Sequence, residues 1–265
     1  MRLPKPLSEL PRGEAAGIRF VLFDIDDTIT ENGLLVEQSY SAIWALSRAG
    51  VAAIPVTGRP AGWCDLIARQ WPVAGIVGEN GAFAFYMGNG RLERIFHPEA
   101  PSPDSSRERL SRLASEAMTA VPGLRLAKDQ AYRLFDIALD FAEEPPRLPL
   151  EEALRAKDIC EASGARAKVS SIHVNAWFGD YDKLSMSVLF LSRVLGWDPM
   201  LSPRAAIFVG DSPNDEPMFR RFELSCGVAN VRRYEGLLEY PPAYITDKPF
   251  GAGFAEACAY ILASR

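Results

Sequence analysis

Residues 21–28 read Val-Leu-Phe-Asp-Ile-Asp-Asp-Thr, an apolar strand-forming run that ends in carboxylates at Asp24, Asp26 and Asp27. In an open parallel sheet, ligand sites lie just beyond the carboxyl ends of the strands. Like charges packed together repel, so this cluster requires a cation or a proton to offset them. Because every ligand atom on offer is an oxygen, the favoured cation is Mg²⁺. The alternative interpretation is a solvated acidic turn after a strand.

Strand-like and helix-like segments alternate around this run. Apolar runs over 18–25, 51–56 and 75–77 predict buried strands, and amphipathic stretches over 37–49 and 60–70 predict helices. The same alternation resumes from Tyr181 to the end of the chain. Such an order predicts an α/β fold with a parallel sheet and right-handed crossovers.

The middle of the chain has a different pattern. A hairpin with Asn89-Gly90 at its turn is followed by two helical segments and two segments of period-2 alternation, 132–142 and 168–178. This alternation predicts an antiparallel sheet with one covered face and one open face. We therefore divide the chain into an N-terminal arm, residues 1–17; a core, residues 18–82 and 181–265; and an inserted α+β module, residues 83–180.

Composition excludes several classes of protein. The 265 residues are 48% hydrophobic and 24% charged, with a net charge of -5, which indicates a folded protein and disfavours binding to nucleic acid. No run approaches the roughly 18 apolar residues of a membrane-spanning helix. The 4 cysteines form no CxxC motif, so we interpret them as small core residues of a cytoplasmic protein.

Three further segments carry polar side chains at predicted strand or helix ends. Thr57-Gly58-Arg59 offers a hydroxyl and amides at a helix start, which suits a phosphate. The alternative interpretation of this segment is a plain turn between a strand and a helix. Residues 210–215, Gly-Asp-Ser-Pro-Asn-Asp, follow another strand and also suit a simple helix cap. Lys183 lies in the first turn of a predicted helix, where the helix dipole disfavours a cation.

Together these segments resemble the haloacid dehalogenase-like phosphohydrolase superfamily. Its motifs appear in order: DxDxT at 24–28, a hydroxyl at Thr57, the lysine at 183, and GDxxND at 210–215. The position of the module resembles a type IIB cap, as in Cof-type sugar phosphatases, sucrose phosphatase, mannosyl-3-phosphoglycerate phosphatase and phosphomannomutase. The resemblance implies a Rossmann-like parallel core with an inserted α+β cap domain. Ser212-Pro213 departs from the glycine-rich step of many members.

The resemblance implies roles for the acids. Asp24 would be the nucleophile that forms an aspartyl-phosphate, and Asp26 would protonate the leaving alkoxide and then deprotonate water. Mg²⁺ would be held by Asp24, the main-chain carbonyl of Asp26, and Asp211. Asp215 would act on metal-bound water or orient the lysine from outside the ligand shell.

The resemblance also implies a phosphate-binding set. Thr57, the Gly58 amide and Lys183 would bind the phosphoryl oxygens, where negative charge spreads in the transition state. Asn214 would act beside them on substrate or water. Arg59 is also assigned to substrate binding, although pairing with an acid is an equal alternative.

Two other groups of polar residues allow more than one interpretation. Asp136, Ser171, His173 and Asn175 project from the predicted open face of the module, either to solvent or toward a leaving group. Residues 79–81, Glu-Asn-Gly, are either a simple turn or a contact with the module.

The sequence therefore predicts an enzyme, a Mg²⁺-dependent phosphatase of a small, sugar-like phosphomonoester. A phosphomutase with the same aspartyl-phosphate is the first alternative. A phospho-accepting signalling module is the second, and the inserted module and the second carboxylate at Asp26 disfavour it. The predicted partner is a small phosphate ester, and the sequence gives no indication of oligomeric state.

Overall fold

The computed structural model describes residues 3–198 and 201–265. The strands are β1 Lys5–Pro6, β2 Phe20–Phe23, β3 Thr30–Glu31, β4 Leu34–Leu35, β5 Ala52–Pro55, β6 Ile76–Gly78, β7 Phe83–Gly88, β8 Arg91–Phe96, β9 Arg125–Leu126, β10 Asp136–Asp140, β11 Arg166–Val169, β12 His173–Trp177, β13 Ala206–Gly210, β14 Leu224–Gly227 and β15 Tyr244–Ile245. The helices are α1 Arg12–Ala16, α2 Glu37–Arg48, α3 Ala61–Gln70, α4 Pro103–Ala120, α5 Leu150–Ala162, α6 Lys183–Arg193, α7 Glu216–Arg221 and α8 Phe250–Leu262.

A six-stranded parallel sheet, in the order β1-β15-β14-β13-β2-β5, forms the core. All four side chains of β2 are buried, because helices cover both faces of the sheet. Val21 and Phe23 pack on the side of α2, α3 and α8, where the rings of Phe23 and Phe254 lie 4.7 Å apart. Leu22 packs on the opposite side against α6 and α7. The predicted α/β fold with a parallel sheet is confirmed.

The N-terminal segment is part of the core. Strand β1 pairs in parallel with β15, and Leu7, Leu10 and Ala15 are buried against the parallel sheet and α8. The Tyr260 hydroxyl donates to the Leu10 carbonyl oxygen at 2.5 Å. The prediction of a loose arm over 1–17 is therefore wrong for residues 5–16. Tertiary burial of a few apolar side chains orders a segment too short and proline-broken to show periodicity.

The hairpin β7–β8 also belongs to the core. Strand β7 pairs antiparallel with β6, and a parallel bridge between Val56 and Val77 joins these strands to β5. Phe83 and Phe85 stack at 4.2 Å within the hydrophobic core of the parallel sheet. The predicted start of the inserted module at residue 83 is therefore too early, because burial of these two rings ties the hairpin to the core.

The inserted module, residues 103–177, contains the antiparallel sheet β11-β12-β10-β9 with α4 and α5 on one face. The opposite face carries Asp136, Asp140, His173 and Asn175, and all four residues are buried. The prediction that this face is open is wrong. It lies over the carboxyl ends of the core strands, where a hydrogen bond from Asn80 of the core and charged partners within the module replace water.

The four cysteines, Cys64, Cys160, Cys226 and Cys258, are free and buried, as expected of small core residues. Within residues 3–198 and 201–265, every helix is too short or too polar to cross a membrane.

Truncation of a buried side chain in the N-terminal segment tests its place in the core. Leu10 is 1% exposed, so Leu10→Ala is expected to lower the free energy of unfolding by about 2–4 kcal/mol through lost burial and a residual cavity. Leu3, 81% exposed, is the matched control, and its alanine variant is expected to change stability by less than about 0.5 kcal/mol. Urea unfolding measures the free energy of unfolding of both variants. Losses that are small and equal would contradict the packing of the N-terminal segment against the core.

Candidate active site

Adjacent strands bring the first acids together. Asp24 directly follows β2 and Asp211 directly follows β13, and the Asp24 amide donates to the Val209 carbonyl oxygen at 3.0 Å. Carboxylate oxygens of Asp24, Asp211 and Asp215 all lie within 4.8 Å of one another, and the three residues are buried. The predicted convergence of these segments is observed.

Lys183 is the buried cation of this cluster. Its Nζ lies 3.1 Å from Asp24 Oδ1 and 3.1 Å from Asp215 Oδ1, and helix α6 starts at this residue with Asp182 as its N-cap. Burial lowers the pKa of the ammonium, but the Asp215 and Asp24 carboxylates raise it further, so the net pKa lies above its ordinary value. The two ion pairs explain how a cation persists at a helix N-terminus.

The cluster holds more negative than positive charge. Burial raises the pKa of Asp24 to about 7, with Lys183 opposing and Asp215 and Asp26 adding to the rise. Burial and the Asp215 and Asp24 carboxylates also raise the pKa of Asp211 well above its ordinary value. One ammonium therefore faces three buried carboxylates, and a divalent cation would neutralise the excess charge.

The donor set fits Mg²⁺. Both oxygens of Asp215 are already engaged, Oδ1 by Lys183 and Oδ2 by the Asp211 amide at 3.1 Å. This leaves Asp24 and Asp211 as the side chains best placed to ligate a metal, and Asp215 as the residue that holds the lysine. Asp211 accepts hydrogen bonds from two neutral donors, Thr28 Oγ1 at 3.3 Å and Asn230 Nδ2 at 3.4 Å.

The turn after β5 supplies neutral donors. The buried Thr57 hydroxyl oxygen accepts from the Arg59 amide at 3.0 Å, which fixes the side chain at the strand end. Among the hydrogen bonds of residues 3–198 and 201–265, none uses the Gly58 amide, and Gly58 lines the cleft above Asp24. A Cβ atom at Gly58 would lie 3.2 Å from Asn80 Oδ1, so a larger residue there would require the Asn80 side chain to shift.

Of the two interpretations of Arg59, the structure shows the pair with an acid. Its guanidinium binds both oxygens of Asp26, with Nε–Oδ2 at 3.0 Å and Nη2–Oδ1 at 2.8 Å. Its Nη1 lies 2.8 Å from Glu143 Oε1 and 3.5 Å from Asp129 Oδ2, and the group stacks on the Trp63 ring. All three nitrogens are engaged, so the structure favours the acid pair over the predicted substrate contact.

Asn214 and Ser212 line the cleft beside Asp24, and the Ser212 hydroxyl donates to Asn214 Oδ1 at 2.8 Å. Pro213 begins a short 3-10 turn over Pro213–Asp215, so the serine-proline step is compatible with a loop that aims Asn214 at the site.

The module places further polar groups over the site. Asp136 Oδ2 accepts from Asn80 Nδ2 at 3.2 Å and from Asn175 Nδ2 at 3.0 Å. Arg133 Nη1 donates to Asp136 Oδ1 at 2.9 Å and to the Gly58 carbonyl oxygen at 2.8 Å. Burial raises the pKa of Asp136, and the Arg133 charge and hydrogen bonds oppose the rise. This buried network connects the module to the turn after β5.

Glu79 forms a second connection between the core and the module, in a segment whose sequence also suited a simple turn. It is fully buried, and its carboxylate accepts from the amides of Ala61, Leu134 and Phe135 at 2.5–3.0 Å. Burial and the Asp136 charge raise the pKa of Glu79 to about 8. Positive φ angles at Glu79 and Asn80, 42° and 55°, hold both side chains toward the module. Of the two interpretations of this segment, contact with the module is the observed one.

His173 completes the cleft on the module side. Its Nε2 lies 2.8 Å from Glu143 Oε2, so Glu143 connects His173 to Arg59. Hydrogen bonding to His173, and the Arg59 charge, lower the pKa of Glu143 to about 2 despite partial burial. The space enclosed between Asp24, Asp26 and this face is about 10 Å³, which is room for one water molecule.

Solved structures share this fold. A putative HAD/COF-like hydrolase from Plasmodium vivax superposes with a TM-score of 0.68 at 15% identity, over 96% of this chain and 100% of that one. The sucrose-phosphatase of Synechocystis sp. PCC6803 gives 0.60 at 15% identity, over 91% and 97%. A sugar phosphatase of HAD subclass IIB gives 0.61 at 14% identity, over 91% and 98%. The resemblance to haloacid dehalogenase-like hydrolases is confirmed at the level of the fold.

No protein-family model matches the sequence, and no curated protein matches it significantly.

The Glu143 contacts generate a pH-dependent prediction. A carboxyl whose pKa falls from 4.5 to about 2 on folding stabilises the fold above pH 4.5, and this stabilisation is lost as the pH falls through about 2. Glu143→Gln is therefore expected to lower the free energy of unfolding by about 1–2 kcal/mol at pH 7 and by less at pH 3.

Urea unfolding at the two pH values measures this difference. Glu144→Gln is the matched control, because the Glu144 carboxylate lies 2.8 Å from Lys128, whose side chain is 81% exposed, and the variant should change stability little at either pH. A loss at Glu143 that is the same at pH 7 and pH 3 would contradict the ionic role.

Proposed function

We propose that the protein is a Mg²⁺-dependent phosphatase that hydrolyses a small, sugar-like phosphomonoester through an aspartyl-phosphate on Asp24. The observation that carries this proposal is the convergence of Asp24, Lys183 and Asp211 at the carboxyl ends of neighbouring strands. The fold shared with HAD-type hydrolases, among them phosphatases, supports it.

The first step needs an anion to attack an anion. A carboxylate oxygen of Asp24 attacks phosphorus, and the bond between phosphorus and the ester oxygen breaks. The phosphoryl group is then covalently bound to that Asp24 oxygen. Lys183 lies 3.1 Å from that carboxylate and offsets the charge that gathers there. Asp24, Asp211 and the Asp26 carbonyl would hold Mg²⁺, whose two positive charges would reduce the repulsion between nucleophile and substrate.

Neutral donors bind the transferred group. The Gly58 amide and the Asn214 amide group line the same cleft as Asp24, and the Thr57 hydroxyl lies at the strand end next to Gly58. Such fixed donors stabilise charge on the equatorial oxygens in the transition state, and each contributes about 3 kcal/mol.

Asp26 is the proposed acid and base. It protonates the leaving alkoxide, and it then takes a proton from the water that hydrolyses the aspartyl-phosphate. Its carboxylate is held at two points by Arg59, and its side chain is 20% exposed at the cleft. Arg59 therefore acts as a positioning residue, which replaces the predicted role in substrate binding.

A polyhydroxyl leaving group fits the module face. Ser170, Ser171, His173 and Asn175 border the cleft and offer hydrogen bonds rather than an apolar slot. Since the enclosed space of about 10 Å³ cannot hold a phosphate, the substrate reaches Asp24 only when the module moves away from the core.

A phosphomutase would use the same first step. It also needs a second phosphate held near Asp24, and Arg133, the buried arginine of the module face, is not free to hold it because it is paired with Asp129 and Asp136. Isomerisation of a hexose phosphate without release of phosphate would favour the mutase over the phosphatase.

Removal of the nucleophile tests the proposal. Asp24→Asn is expected to reduce phosphate release by about 10³-fold or more with sugar phosphates and with p-nitrophenyl phosphate, because the amide does not attack phosphorus. EDTA should abolish the wild-type activity, and added Mg²⁺ should restore it. Asp180→Asn, at a residue whose side chain is 77% exposed, is the control and should retain full activity. Wild-type rates in the Asp24 variant would reject the nucleophile.

The Asp26 role predicts a dependence on the leaving group. A general acid contributes about 10²–10⁴-fold when the alkoxide is a poor leaving group, and little when p-nitrophenolate leaves. Asp26→Asn is therefore expected to slow the hydrolysis of an alkyl phosphate far more than the hydrolysis of p-nitrophenyl phosphate. Single-turnover rates with both esters measure this ratio, and equal slowing would contradict the acid role.

A further inference from the structure

A second, larger cavity begins on the outer side of Asp26. It encloses about 330 Å³ between the core and the inserted module. Asp26, Arg59 and Ser171 border both this cavity and the small space above Asp24. Asp26 therefore stands at the junction of the two spaces, with the nucleophile on one side and open volume on the other.

Two arginines line this outer cavity from opposite sides. Arg147 lies in the module, between β10 and α5, and Arg233 lies in the core, in the 3-10 turn Ala229–Tyr234. Within residues 3–198 and 201–265, neither guanidinium has a carboxylate within 4.0 Å; Arg233 lies 5.2 Å from the Phe250 ring centroid. Both side chains are available to an anion in the cavity.

The lining charges balance in number but not in position. Asp26 and Glu143 each lie 2.8 Å from Arg59, and Glu143 also lies 2.8 Å from His173 Nε2, so both carboxylates already have partners. Asp27 is the remaining carboxylate at the wall, so two free guanidiniums face one acid. This part of the cavity therefore carries an excess of positive charge, which one anionic group would complete.

We propose that Arg147 and Arg233 form a binding site for a second anionic group, a carboxylate or a phosphate, on the alcohol part of the substrate. The inference rests on the proposed phosphatase function and narrows its substrate class to acidic sugar phosphates and sugar bisphosphates. Because Asp26 protonates the leaving oxygen, atoms beyond that oxygen extend into the outer cavity. An anion there contacts one arginine from the module and one from the core, so its binding favours the closed arrangement in which Asp26 and Asp24 share one enclosed site.

Matched substrate pairs test this assignment. Glucose 6-phosphate and 6-phosphogluconate differ in the carboxylate, and fructose 6-phosphate and fructose 1,6-bisphosphate differ in the second phosphate. The measured quantity is the ratio of kcat/KM for the acidic ester to kcat/KM for its neutral partner. We expect a ratio above 1 for the wild type in at least one pair, and the responding pair identifies the carboxylate or the phosphate as the ligand.

Arginine variants connect that ratio to the site. Arg147→Gln and Arg233→Gln are each expected to lower the ratio by about tenfold, and the double variant by about 100-fold. The rate with p-nitrophenyl phosphate should stay within about twofold of wild type, because that ester has no second anion. Lysine at both positions should restore part of the preference, which a merely structural role would not do. Arg112→Gln, at a side chain 75% exposed on α4, is the matched control.

The two levels of inference fail separately. If the wild type hydrolyses neutral esters and the double variant leaves both ratios unchanged, the arginine site is overturned and the phosphatase function stands. If the wild type releases no phosphate from any of these esters with Mg²⁺ present, the proposed function and the arginine site are both overturned.

Discussion

The ion pairs of Lys183 with Asp24 and Asp215, at 3.1 Å each, are the interaction on which the rest of the site depends. A buried ammonium is costly unless it is paired, and a buried carboxylate is costly for the same reason. The pairs bring helix α6 to the carboxyl ends of β2 and β13, so segments separated by the whole inserted module meet at one point. They leave an excess of negative charge at the cluster, which a bound divalent cation would offset.

A second charge network determines how the module sits on the core. Arg59 connects Asp26 to Glu143, and Arg133 connects Asp136 to the Gly58 carbonyl oxygen. The Arg59–Glu143 and Arg133–Gly58 contacts join a core group to a module group, and both arginine side chains are shielded from water. On the polar face of the module sheet, Asp136 accepts from Asn80 of the core, and its pairs with Arg133 and Asn175 lie within the module. The face can be buried because these partners replace water.

The sequence predicted the core better than the contacts of the module. Apolar runs were sufficient to predict β2, β5 and β13, and the order of motifs was sufficient to predict that Asp24, Lys183 and Asp211 lie close together, because each signal is local. Period-2 alternation showed that His173 and Asn175 share a face but not what covers that face. Arg59 could pair with an acid or a phosphate by chemistry alone, and its partner Glu143 lies 84 positions away. Long-range partners of this kind leave no local pattern.

Arg59 and Arg133 each have partners in both the core and the module, which favours opening of the module without a large loss of charge pairing. When the module moves away, Arg59 loses Glu143 but keeps both contacts with Asp26 inside the core. Arg133 loses the Gly58 carbonyl oxygen but keeps Asp129 and Asp136 inside the module. Opening therefore breaks charged contacts between the two parts without leaving an unpaired arginine in either of them. Since stranding a buried charge is the expensive event, this network holds the closed state while allowing substrate to reach Asp24.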